Sequence, residues 1–97
     1  MLKSRKKLIF NTFKEFFMKI YDYNGKKNIC GERIHQARSA IKLTQSDLAS
    51  KLQLAGITLE RDSISRIEIG TRFVADYELR EISKILNVSV NWLLGIE

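Results

Sequence analysis

From residue 28 onward, apolar residues recur at steps of three and four, broken at short intervals by capping residues or glycine. That rhythm belongs to short amphipathic helices, each burying one stripe. Cys30, Ile34, Ala37 and Ile41 form the first stripe, over about residues 29–41, with Asn28 placed to cap it. Thr44 starts a second helix, and Asp47 three residues on makes a short-armed capping box. Leu48, Ala49 and Leu52 are its inward positions. The loop QLAGI follows, with Gly56 free to take positive φ. The third helix spans about residues 60–68, anchored by Ile64 and Ile67 and stopped by Gly70. A fourth, over about 76–86, carries Tyr77, Leu79, Ile82, Ile85 and Leu86; a short fifth after Ser89 carries Val90, Trp92, Leu93 and Leu94. Proline is absent, which favours helices joined by short turns over a sandwich or barrel. The expectation is an all-α, compact five-helix domain that buries Ile34, Ala37, Leu48, Leu52, Ile64, Ile67, Leu79, Ile82, Leu86 and Trp92 together.

The net charge is +6, but its location matters more than its size. Residues 1–27 hold eight basic and two acidic residues, whereas residues 28–97 hold nine of each. Bulk basicity therefore says nothing about what residues 28–97 bind. The chain divides into a basic amphipathic extension or linker at 1–27 and a helical domain at 28–97. In the extension, Ile9, Phe13, Phe16 and Ile20 share one helical face, suited to packing on the domain, a partner protein or a membrane surface; a flexible basic arm is the other reading. Asn24-Gly25 reads as a turn. A competing reading comes from the genetic code. Lys14-Glu15 can be encoded by a purine-rich ribosome-binding sequence placed just ahead of Met18, making residues 1–17 a start-codon misassignment.

Composition removes several classes. One cysteine allows no intramolecular disulfide, and one histidine builds no histidine-rich metal site. No apolar run approaches the length of a membrane span. There are no paired carboxylates, no glycine-rich phosphate loop and no metal-ligand spacing, so neither an enzyme nor a cofactor is expected. Cys30 reads as a small buried hydrophobe, and His35 as a solvated residue on the outer side of the first helix.

Two short helices joined by a turn, with polar residues opening the second of them, fit a helix-turn-helix. Arg61, Asp62, Ser63 and Arg66 face outward, while Ile64 and Ile67 anchor. Three blocks sharpen this reading: Leu43-Thr44-Gln45 with Leu48-Ala49, Ile64-Ser65-Arg66-Ile67-Glu68 with Gly70, and Trp92-Leu93-Leu94. In that order they resemble the lambda-repressor-like, Cro/phage-repressor (XRE-type) helix-turn-helix regulators, over nearly all of residues 28–97.

The resemblance implies a cytoplasmic bacterial or phage regulator, a repressor that binds a double-stranded DNA operator as a homodimer on a two-fold symmetric site. It places Thr44 and Gln45 at the backbone or a base edge, Arg61, Asp62, Ser63 and Arg66 in the major groove, and Thr71 and Arg72 near phosphates. It makes Arg38 and Glu68 a structural ion pair. The dimer contact would come from the fourth and fifth helices around Trp92 and Leu94, or from the extension. The chain departs from the family in its loop, where eleven residues separate Leu52 from Ile64. It also carries Gln53 in place of the usual turn glycine and Ile69 in place of the common asparagine. The other reading is an antitoxin-type or anti-repressor module that grips a protein partner through its extension.

Overall fold

The computed structural model describes residues 22–97. The amphipathic face of the extension, its basic start and the alternative start at Met18 lie outside the described residues. Among the described residues the regular elements are five helices: α1 Gly31–Ala40, α2 Gln45–Leu54, α3 Arg61–Ile69, α4 Asp76–Leu86 and α5 Val90–Leu93. Local chemistry sets their limits. Thr44 Oγ1 accepts from the Asp47 N–H and Asp47 Oδ2 accepts from the Thr44 N–H, both at 3.0 Å, completing the expected capping box. Gly70 ends α3 at φ 98°, a left-handed position that costs glycine little. Ser89 caps α5 by accepting from the Trp92 N–H at 2.9 Å.

The start of α1 differs from the expected one. The helix begins at Gly31, and Asn28 acts from outside it: its Oδ1 accepts from the Gly31 N–H at 2.8 Å. Its Nδ2 donates to the carbonyls of Ile67 at 3.0 Å and Arg72 at 2.8 Å. One side chain thus caps α1 and ties it to the end of α3. Gly31 makes this approach possible, because a Cβ there would lie 2.1 Å from the Ile67 carbonyl oxygen.

The core gathers Cys30, Ile34, Ala37, Leu48, Leu52, Leu59, Ile64, Ile67, Leu79, Ile82, Leu86 and Leu93. Two expected core positions, Ile41 and Trp92, fall elsewhere, and so does the apolar Tyr77 of α4. Ile41 is exposed because α1 stops at Ala40 and Lys42 turns the chain at φ 57°. Tyr77 is exposed because it stands on the opposite face of α4 from Leu79, Ile82 and Leu86. Trp92 is only partly buried; Leu93 takes the central place at 0 % exposure, and the Arg33 guanidinium covers the indole 4.8 Å from its centroid. The long loop after α2 is pinned by apolar residues of its own. Leu59 enters the core, Ile57 packs against it, and the Ile57 N–H returns to the Leu52 carbonyl at 2.9 Å.

Asn24 and Gly25 form the expected turn, both left-handed at φ 53° and 81°. The turn is tied to the helical domain by the Lys27 N–H, which donates to the Gly70 carbonyl at 2.7 Å.

Candidate nucleic-acid interface

The N-terminus of α2 and the N-terminus of α3 open onto one shallow groove. Arg38, Ser39, Lys42, Leu43, Thr44, Gln45, Ser46 and Arg61 line it, with three cations and no carboxylate. The Asp47 carboxylate is folded back onto Thr44, whose backbone and hydroxyl hydrogen bonds hold it below the usual carboxylate range. Free N–H groups at the start of a helix and cations beside them suit an anion.

Arg38 reaches the groove under tight control. Its Nε donates to Glu68 Oε2 at 2.7 Å and its Nη2 to Glu68 Oε1 at 2.9 Å, while Nη1 donates to the Leu43 carbonyl at 2.7 Å. The Arg38–Glu68 pair is therefore present as the resemblance implied. Burial pushes Glu68 upward, but hydrogen bonds from Arg38 and Gln45, with the His35 ring nitrogen 3.0 Å away, outweigh it and hold the carboxyl below its usual range. The bond to Glu68 raises Arg38 further against the opposing effect of desolvation. Gln45 Nε2 also donates to Glu68 Oε1, at 3.0 Å, so the first residue of α2 is held by the last turn of α3.

His35 is not merely solvated. Its Nδ1 stands 3.0 Å from Glu68 Oε1 and 3.0 Å from Arg38 Nη2, although the side chain remains 57 % exposed.

The residues singled out from sequence fall into two places. Thr44, Gln45 and Arg61 share the groove. Asp62 and Arg66 are exposed along α3, with Ser63 partly buried beside the anchors Ile64 and Ile67. Arg61 and Asp62 are 3.7 Å apart on exposed side chains, a pairing that solvent weakens. Thr71 and Arg72 lie past Gly70, beyond the opposite end of α3. Arg72 is engaged within the chain: Nη1 donates to the Phe73 carbonyl at 2.7 Å, and the guanidinium forks onto Glu78 at 3.0 and 3.2 Å. Glu78 is buried, and its Oε1 also accepts from the Ala75 N–H at 2.9 Å at the start of α4.

Sequence reasoning passed over Ser39 and Lys42 as groove residues. Their signal was their place: Lys42 stands two residues before the Thr44 cap, where a cation is brought to a helix N-terminus. Among the described residues no cluster of His, Cys, Asp and Glu is fit to hold a metal ion, and no helix is long and apolar enough to cross a membrane.

No protein-family model and no curated protein matches the chain. Among solved structures, it is similar to the P22 c2 repressor protein, determined in complex with synthetic operator 9T in the presence of Tl+. The match has a TM-score of 0.60 and 27 % sequence identity, and covers 72 % of this chain and 98 % of that one. The fold is that of the Cro/lambda-repressor-type helix-turn-helix proteins, as the three sequence blocks implied.

Proposed function

We propose that this chain is a sequence-specific double-stranded DNA-binding regulator, a transcriptional repressor that inserts α3 into the major groove. The observation that carries the reading is the cationic, carboxylate-free groove joining the N-termini of α2 and α3. It stands on a scaffold similar to that of a repressor crystallised with a synthetic operator. In this reading the groove receives the phosphate backbone, through Thr44, Lys42 and the first N–H groups of α2. Arg61 then sits where α3 enters the duplex and reads a base edge, with Asp62, Ser63 and Arg66 along the same helix. Gln45, whose amide nitrogen is anchored on Glu68, turns its remaining polar atoms toward the DNA. Thr71 and Arg72 border the backbone at the other end of α3.

One such domain offers few base contacts, so two copies on a two-fold symmetric operator follow from the reading, their α3 helices about 34 Å apart. The exposed Ile41 beside Leu86, Val88 and Trp92 forms an apolar groove on α1 and α4 available to a second copy. Bacterial or phage-infected cytoplasm is the setting such a repressor requires.

Selection of bound duplexes from a random DNA pool by the full chain tests the proposal. Enrichment of one symmetric sequence is the expected result. A pool that stays unenriched while the protein remains folded rejects it.

A further inference from the structure

His35 Nδ1 is placed between two partners that ask opposite things of it. It lies 3.0 Å from Arg38 Nη2, a donor, and 3.0 Å from Glu68 Oε1, an acceptor. Unprotonated, this nitrogen accepts from Arg38; carrying a proton, it donates to Glu68. Both partners lead to the groove, since Arg38 lines it and Glu68 holds Gln45, which also lines it.

We propose that His35 is a proton-dependent positioning residue for the DNA groove; the inference rests on the DNA-binding reading above. In the neutral ring whose proton sits on Nε2, Nδ1 is bare, and Arg38 Nη2 directs one N–H to Glu68 Oε1 and the other to the imidazole. Protonation makes Nδ1 a donor to Glu68 Oε1, and one Arg38 N–H loses its acceptor. A DNA phosphate seated in the groove supplies a replacement, and the imidazolium adds a positive charge beside it. Glu68 Oε1 already accepts from Arg38 and Gln45, so a third strong donor also loosens its hold on Gln45. DNA binding therefore favours the protonated ring, and affinity rises as pH falls.

The surroundings make this testable. The charged groups facing His35 are Arg38 from α1 and Glu68 from α3, with the neutral Gln45 amide from α2. One turn back on α1, Glu32 is occupied by Lys26 of the 22–27 turn at 3.0 Å. His35 is the chain's one histidine. Burial lifts the Cys30 thiol to about 11, and Glu68 is held low, so neither titrates where imidazoles do.

The test measures Kd of the full chain for a random-sequence duplex at fixed ionic strength, from about pH 8 to about pH 5.5. Wild type should bind about three- to tenfold more tightly at the acid end. His35→Gln should fold, bind, and show a flat profile, while His35→Lys should bind at the acid-end affinity throughout. A flat wild-type profile, or an unchanged slope in His35→Gln, overturns the proposal. Nitrogen NMR of the free protein gives a second measurement that needs no DNA: the Gln45 amide and Arg38 signals should shift with the midpoint of the imidazole. If they stay still, the coupling is refuted whatever the DNA result. If the signals shift but no variant binds DNA at any pH, the DNA-binding reading falls, and with it the role given to His35.

Discussion

Arg38 and Glu68 join α1 to α3 through two parallel hydrogen bonds, Nε to Oε2 at 2.7 Å and Nη2 to Oε1 at 2.9 Å. The pair links the helix beneath the groove to the helix proposed to enter DNA. Removing one partner leaves the other charge in a poorly solvated place. Arg38→Met should therefore cost about 3–5 kcal/mol of folding stability, measured by urea denaturation. Arg38→Met with Glu68→Leu should recover much of that loss.

The same pair sets an acid limit. Glu68 is held below its usual carboxylate range in the folded protein, so its contribution is present above the unfolded value of about 4.3. It is lost as pH falls through the lower folded value. Wild type should lose stability below about pH 4 more steeply than Glu68→Gln, which has no carboxyl there to protonate. Parallel acid-denaturation curves for the two proteins would remove Glu68 from the account.

Gly31 is required for contact rather than for a turn. A methyl group there meets the Ile67 carbonyl, a backbone atom with no rotamer to change. Gly31→Ala should destabilise by about 1–3 kcal/mol or more, despite alanine's better helix propensity. A melting temperature at or above wild type would contradict the close approach of α1 and α3.

Arg61 and Arg72 should separate reading from support. Arg61→Ala should cost about 1–3 kcal/mol on the selected operator and little on random DNA, with no change in melting temperature. Arg72→Ala should lower the melting temperature, because it strips the buried Glu78 of its guanidinium. The expected loss is about 1.5–3 kcal/mol, the range for hydrogen bonds to charged groups. Equal loss on both DNAs for Arg61→Ala would make Arg61 a phosphate contact.

Ile67 lies fully buried at 0 % exposure, one residue before the Glu68 that forks onto Arg38. Ile67→Ala should cost about 2–5 kcal/mol in thermal or urea unfolding. A smaller loss would mean that α3 is held chiefly by its polar ties.

The helices and their ends were legible in the residues, because periodicity and capping act within a few positions of chain. Thr44 with Asp47, Gly70 and Ser89 act on neighbours four or fewer residues away, and they fall where the pattern put them. The stripe of Ile34, Leu48, Leu52, Ile64 and Ile67 followed from the same arithmetic, and three motif blocks in order carried the fold class. What tertiary structure decided was which partner each polar side chain meets. His35 looked solvated until α3 brought Glu68 beside it, thirty-three residues away. Arg72 is drawn onto Glu78, and Asn28 reaches the carbonyls of Ile67 and Arg72 across the domain. Trp92 yields the core to Leu93, and Arg33 of α1 covers its ring. A buried stripe needs only to face inward, and helical spacing settles that. A hydrogen bond needs one donor within about 3 Å of one acceptor, a condition that only the packing of separate helices satisfies.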